Sequence, residues 1–395
     1  MVFKITEKVS WVGKVDWDLE TFHGEEYSTH KGSTYNAFLI QDEKNVLIDT
    51  VWGPFSQEFV SKLKKTIPLE KIDYIVMNHA EPDHSGALPE LMKLIPNTPI
   101  YCTANGVKSI KGQYHQDWDF RVVKTGDKLN LGTRELIFIE APMLHWPDSM
   151  FSYLTNDEIL FSNDAFGQHY ATEHMYNDLV DQDELQYECI KYYANILTPF
   201  SRLVARKIQE FVSLNLPVSF ICPSHGVIWR DNPLQIVEKY NSWADSYQEN
   251  QITILYDTMW DSTKKMAQAI ARGVKAADPS ITVKLYQTSK RDSNDILTEV
   301  FKSKAVFLGS PTVNKTILTS MAAMLEAFKG LRFTNKKAAA FGSYGWSGEA
   351  IKIISSRLEE SGFAVIGPGV NGLWNPDAKA EENCYKLGQQ MVEAL

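Results

Sequence analysis

Four potential metal ligands crowd into six residues at His79-Ala80-Glu81-Pro82-Asp83-His84, entered directly from the apolar run Ile72–Asn78. Buried imidazoles and carboxylates carry a desolvation penalty unless they are paired or hold a metal. Packing alone therefore does not account for them. Alternation along an extended turn aims His79, Glu81 and Asp83 to one side, with His84 added at the bend. Three other places share this character: His145 and Asp148 in Met143-Leu144-His145-Trp146-Pro147-Asp148, Asp164 after Phe161-Ser162-Asn163, and His225 in Cys222-Pro223-Ser224-His225-Gly226. Any one of these histidines alone reads as a capping or hydrogen-bonded residue, but the set reads as a convergent metal site. Asp148 is expected to be a structural cap. His30, His115, His169 and His174 stand in polar contexts and are expected at the surface or behind the ligands.

A second chemistry begins at Asp257-Thr258-Met259-Trp260-Asp261-Ser262-Thr263, after the apolar run Ile252–Tyr256. The hydroxyls of Thr258, Ser262 and Thr263, with the N–H groups of a helix start, make a phosphate cradle that needs no Lys or Arg. By itself this is an ordinary helix cap. Two further loops strengthen it: Gly309-Ser310-Pro311-Thr312-Val313-Asn314 and Gly342-Ser343-Tyr344-Gly345-Trp346-Ser347-Gly348. Their glycines let backbone approach a flat ring, Tyr344 and Trp346 can stack on it or edge it, and Trp374 can close the pocket. FMN, with one terminal phosphate, fits these three loops together.

The elements that must position these groups change character near Asp245–Asn250. Before it, short strands predominate: Tyr35–Ile40, Val46–Asp49, Ile72–Asn78, Ile100–Thr103, Glu135–Glu140, Phe151–Leu154 with Ile159–Phe161, and Val218–Cys222. A helix over Ser56–Ile67 has Phe59, Val60, Leu63 and Ile67 on one face. After it, strand and helix alternate in five units, with strands at Ile252–Tyr256, Ile281–Tyr286, Ala305–Gly309, Ala338–Gly342 and Ala364–Gly367. That spacing predicts a doubly wound parallel sheet. Each candidate ligand sits where a strand ends and a loop begins, so strand ends are expected to converge on one site. The domains are expected at residues 1–248 and 249–395.

Bulk properties exclude several alternatives. At 395 residues the chain is too long for one core. Acidic residues outnumber Lys and Arg by 49 to 40, which argues against a nucleic-acid partner. The N-terminal stretch is interrupted by charges and lacks a signal peptide's apolar segment, and no apolar run is long enough to span a membrane. A cytoplasmic protein is expected. The four cysteines (Cys102, Cys189, Cys222, Cys384) form no C-x-x-C pair, so neither a disulfide framework nor a rubredoxin-type iron site is expected.

The ligand order His79-x-Glu81-x-Asp83-His84, then His145, Asp164 and Ser224-His225-Gly226, resembles the metallo-β-lactamase fold, an αββα sandwich with a binuclear site. Zinc hydrolases of that superfamily carry a second His where this chain has Glu81. The carboxylate hardens the site and suits iron redox chemistry, whereas zinc has no accessible second oxidation state. With D-T-M-W-x-S-T, S-P-T-x-N and F-G-S-Y-G-W-S-G in the second half, essentially the whole chain resembles the flavodiiron proteins. The resemblance implies an N-terminal metallo-β-lactamase-like domain and a C-terminal flavodoxin-like domain. It implies one iron on His79, Glu81 and His145, the other on Asp83, His84 and His225, with Asp164 bridging. His84 is the ligand that turns away from the metal in some members. His23 and Tyr193 resemble residues lining the substrate pocket, where a proton donor has a use.

The activity so implied is reduction of dioxygen to water, of nitric oxide to nitrous oxide, or of both. No G-x-G-x-x-G follows any strand, so a built-in nicotinamide site is not expected. Electrons would come from a separate donor such as rubredoxin, through FMN, in a head-to-tail homodimer or a dimer of dimers. Two other readings compete: a zinc-dependent hydrolase with a flavodoxin-like appendage, and an electron carrier whose first domain is a vestigial metal fold. The second requires degenerate ligands, and all seven are present.

Overall fold

The computed structural model describes residues 2–395, which divide into two compact units. The first runs to Tyr192 and resumes over Phe200–Asn241; the second comprises Tyr193–Pro199 and Ser242–Leu395.

In the first unit period-two alternation builds two packed sheets. Phe38 and Ile40 of the strand Phe38–Gln41, with Val46 and Ile48 of Asn45–Ile48, meet Phe138, Leu154 and Phe161 of the other sheet in one core. The intervening Leu39 and Leu47 face outward onto the helix Ser56–Thr66, which buries Phe59, Val60 and Leu63. Each such side chain contributes roughly 1.5–3 kcal/mol relative to exposure. The seven-stranded sheet is mixed, running Phe3–Lys4, Val9–Trp11, Phe38–Gln41, Asn45–Ile48, Ile72–Val76, Ile100–Cys102, Phe120–Val122. The five-stranded sheet runs Lys128–Asn130, Glu135–Glu140, Met150–Leu154, Ile159–Asn163, Phe220–Pro223.

The expected strand Tyr35–Ile40 is broken into Ser33–Tyr35 and Phe38–Gln41. Between them Asn36 leaves the ladder: its side chain donates to the carbonyls of Pro223 and Gly226 and accepts from the Trp11 indole. A side chain that satisfies three partners holds the backbone out of sheet geometry here.

In the second unit every pairing of the main sheet is parallel. Its order is Thr282–Gln287, Gln251–Tyr256, Ala305–Gly309, Lys337–Tyr344, Ala364–Val365. This is the flavodoxin order, whose crevice lies at the carboxyl edge of the first and third strands. Helices Ser262–Ala277 and Ala378–Ala394 cover one face through Met266, Ile270, Val274, Leu387 and Met391. The expected strand Ala364–Gly367 stops at Val365; the chain turns through Gly367 and Gly369, both at positive φ, and Val370–Leu373 pairs anew with the end of Lys337–Tyr344.

Candidate functional site

Four strand ends of the first unit supply one buried cluster. Beyond Ile72–Val76 the chain bends at Asn78 and reaches Glu81 (φ −59°, ψ 144°), then Pro82 opens the helical turn Pro82–Ser85. Proline suits a first helical position because it needs no donor there. That turn changes the expected pattern. Instead of one row, His79 and Glu81 face one group of ligands, and Asp83 and His84 rotate into a second.

The groups meet at Asp164, which follows the strand Ile159–Asn163, whose pairing with Phe220–Pro223 shifts register between Phe161 and Asn163. Its Oδ2 lies 3.5 Å from Nε2 of His79 and 3.4 Å from Nε2 of His145. Its Oδ1 lies 3.0 Å from Nε2 of His84 and 3.6 Å from Nε2 of His225. Glu81 completes the first group, with Oε2 3.1 Å from His79 and 3.5 Å from His145. Asp83 completes the second, with Oδ2 3.1 Å from His84 and 3.0 Å from His225. All seven sequence-predicted ligands are therefore brought together.

The fit to metal ions can be tested on these atoms. Both oxygens of Asp83 and both of Asp164 are buried and receive no hydrogen bond, although imidazole nitrogens lie within 3.6 Å of Oδ2 of Asp83 and of both oxygens of Asp164. Buried carboxylates without donors are costly; cations held by these carboxylates together with the imidazoles would resolve this. The electrostatics agree. Burial opposes the charged forms, yet His84, His145 and His79 hold the Asp164 carboxyl well below its usual range. Against the same burial, Asp83 and Asp164 lift His84 to about 9, and Asp148, Glu81 and Asp164 raise His79. The cluster is a sink for positive charge, which protons on the imidazoles fill and metal ions would replace.

His23 (φ 54°) reaches the cluster: its Nε2 lies 2.9 Å from Oε1 of Glu81. It lines a cavity of about 410 Å³ with Leu19, Phe22, Tyr35, Trp52, Glu81 and Asp83. Tyr193 is placed differently. It belongs to the second unit, its ring 5.5 Å from Trp243 and 5.7 Å from Phe301. The preceding Tyr192 does lie beside the cluster, with its ring 5.2 Å from that of His169 and 6.4 Å from that of His225, as does Tyr35, whose ring is 6.0 Å from that of His225. Successive helical residues point about 100° apart, so neighbours in sequence can face different cores.

Asp148 proves to be more than a cap. Its Oδ2 accepts from the backbone N–H of Ala80 at 2.7 Å and lies 3.0 Å from Nδ1 of His79, steering Nε2 into the cluster. His225 is steered in the same way by the Thr34 carbonyl, 2.6 Å from its Nδ1. His169, expected at the surface or behind the ligands, is fully buried against His225, with Nδ1 2.7 Å from Oγ of Ser33.

In the second unit a cavity of about 530 Å³ opens at the carboxyl edge of the sheet. Thr258, Met259, Trp260, Ser262, Pro311, Thr312, Ser343, Tyr344, Gly345, Trp346 and Trp374 line it. The helix Ser262–Ala277 begins beside it with no side-chain cap on its first N–H groups. That leaves those donors to an anion. Thr263 is buried behind the wall, its Oγ1 3.1 Å from Oγ of Ser343. Asp261, Val313, Asn314 and Gly348, which belong to the same three loops, do not line the cavity. Lys265 does line it, with Asn375 as partner at 2.9 Å, so the cradle includes a cation that the loop sequence did not suggest.

Residues 33–226 match the model of the ODP family beta lactamase, and residues 254–388 match that of flavodoxin. The anaerobic nitric oxide reductase flavorubredoxins of Klebsiella pneumoniae and Escherichia coli are 55% identical to this chain over 394 residues, spanning 99% of it and 82% of their own length. The chain belongs to the flavodiiron protein family. Among solved structures, the rubredoxin oxygen:oxidoreductase of Desulfovibrio gigas superposes with a TM-score of 0.96 at 37% identity, covering 100% of this chain and 98% of that one. The flavodiiron protein of Giardia intestinalis does so at 0.94 and 34%, covering 100% and 96%. The fold is thus the metallo-β-lactamase-like and flavodoxin-like pair expected from the sequence. All seven residues of the buried cluster lie within the first matched span, and the three loops of the flavin pocket lie within the second.

Proposed function

We propose that this flavodiiron protein is an FMN- and di-iron-dependent reductase of nitric oxide and dioxygen, with a rubredoxin-type electron donor. The observation that carries the reading is the shared carboxylate. One oxygen of Asp164 serves each group of ligands, and Glu81, rather than a third imidazole, completes the first. His79, Glu81 and His145 would hold one iron, Asp83, His84 and His225 the other, and Asp164 would bridge. Iron in such mixed nitrogen and oxygen ligation supplies reversible one-electron chemistry at the place where the gas binds. FMN, held by Thr258, Ser262, Thr312, Ser343 and the helix start, would supply electrons collected from the donor.

The chain's own residues do the rest. Phe22, Tyr35 and Trp52 give the cavity beside the cluster apolar walls suited to a small gas. His23, with its Nε2 on Glu81 and a third of its side chain exposed, can carry protons from solvent to the cluster. Glu81 holds His23 protonated more readily than usual, though burial opposes it. Tyr192, buried beside His225 and His169, is the second candidate donor. Nitric oxide is favoured as a substrate because the 55%-identical relatives are named nitric oxide reductases, and dioxygen is supported by the 37%-identical oxidoreductase.

The hydrolase reading is not favoured, because it leaves the flavin pocket without use. No described helix is long and apolar enough to cross a membrane, which accords with a cytoplasmic site of action. A head-to-tail homodimer is part of this reading, and the exposed rings of Trp260, Trp346 and Trp374 around the flavin pocket offer an apolar surface that such a contact could cover. Asp164→Ala tests the reading: turnover with both gases should vanish while flavin absorbance persists. Activity retained without that carboxylate would refute it.

A further inference from the structure

The groups behind the metal ligands differ sharply between the two halves of the cluster. His79 is backed by a carboxylate: Oδ2 of Asp148 lies 3.0 Å from its Nδ1 and is fixed by the Ala80 N–H at 2.7 Å, while Oδ1 has the Ser109 hydroxyl at 3.4 Å. Asp148 is 1% exposed, so this is an anion dedicated to one imidazole. His225 is backed by a neutral carbonyl, that of Thr34 at 2.6 Å, with the Ser33 hydroxyl a distant 3.5 Å away. Nδ1 of His84 is buried and makes no hydrogen bond. The other buried carboxylate nearby, Asp49, is spent on the backbone and side-chain amides of Asn78.

A carboxylate behind a ligating imidazole raises its basicity and fixes its ring; a carbonyl fixes the ring with less charge, and no partner does neither. We propose that Asp148 is a positioning residue that makes the two metal positions inequivalent. The position of His79, Glu81 and His145 then fills first and holds its metal more tightly than the position of Asp83, His84 and His225. The inference rests on reading the cluster as a metal centre and adds an order to it.

The test is a titration of the metal-stripped, FMN-loaded chain with Co(II) alone under anaerobic conditions, read by ligand-field absorption and by competition with a chromophoric chelator. The wild-type chain should show two classes of binding. Asp83→Asn should keep the tight class and Glu81→Gln should lose it. Asp148→Asn should weaken the tight class by roughly 10- to 100-fold and change its absorption while sparing the weak class, and Asp148→Glu should recover part of the loss. A single class in the wild-type chain would overturn the proposal. So would a tight class that survives Glu81→Gln but not Asp83→Asn, or an Asp148→Asn that weakens both classes alike. If Asp148→Asn does not fold, the two ligand variants still decide the order. A wild-type chain that binds no Co(II) would overturn the metal-centre reading itself.

Discussion

Gly226 follows the ligand His225, and replacing it with alanine should disable the cluster without touching a ligand. Two costs can be separated. Gly226 has φ +74°, where a Cβ costs about 1–2 kcal/mol. A Cβ there would also drive into the carbonyl oxygen and the side-chain Cδ and Oε1 of Gln168. Gln168 is fully buried and its carbonyl is fixed backbone, so overpacking adds roughly 1–3 kcal/mol. The sum, about 2–5 kcal/mol, is a large share of a typical domain's stability and corresponds to about 2–4 °C per kcal/mol for a unit of this size. Gly126→Ala is the matched control, since Gly126 has φ +90° and a methyl group there would meet nothing within 4 Å. It bears the backbone cost alone, about 1–2 kcal/mol. Thermal unfolding by circular dichroism, with flavin release marking the second unit, would measure the difference; metal analysis would show whether His225 still ligates. The Gly226 backbone N–H and carbonyl also bond to Thr34 and Asn36, so any shift is passed to the ligand loop. If Gly226→Ala is no less stable than Gly126→Ala and keeps its full metal content, the reasoning is wrong.

Three further outcomes follow from the same geometry. Thr263→Val keeps the buried shape but loses the hydroxyl beside Ser343, so FMN should bind about tenfold more weakly in a flavin titration, with the first unit's metal content unchanged. Tyr192→Phe should slow gas reduction by at least about tenfold with metal content intact, whereas Tyr193→Phe, which keeps its contacts with Trp243 and Phe301, should leave steady-state rates near wild type. Lys336 is 3% exposed, and burial pulls its ammonium down to about 7, against two carbonyl bonds of 2.7 Å to Phe301 and Ser303. Between that value and the unfolded 10.5 the unfolded chain binds more protons, so the second unit should gain stability as pH rises, by at most roughly 5 kcal/mol; Lys336→Met should flatten the profile in denaturant titrations across that range.

Much of the fold and the site is legible in the sequence because the signals are local. Strand periodicity, the strand–helix alternation of the second half and the close spacing of His79, Glu81, Asp83 and His84 all lie within short windows of sequence. What escapes depends on tertiary approach or on a single step of helical rotation. Nothing in the spacing pairs Asp148 with His79, 69 residues away, or brings Asn36 to Pro223 and Gly226 and so breaks a strand. The choice between Tyr192 and Tyr193 turns on which way one helical turn faces. Lys265 carries no signal of its own, because the hydroxyls and the helix start already make a plausible cradle without it. Asp83 and His84 do join the cluster, but the extended row expected for Asp83 gives way to the turn that Pro82 begins.

The most direct test of the central claim is anaerobic stopped-flow mixing of the reduced, metal-loaded protein with nitric oxide and, separately, with dioxygen. The account predicts that flavin and iron reoxidise together with each gas, and that Asp164→Ala, with its flavin in place, loses the fast phase. Reoxidation of the wild-type protein no faster than that of Asp164→Ala with either gas would contradict it.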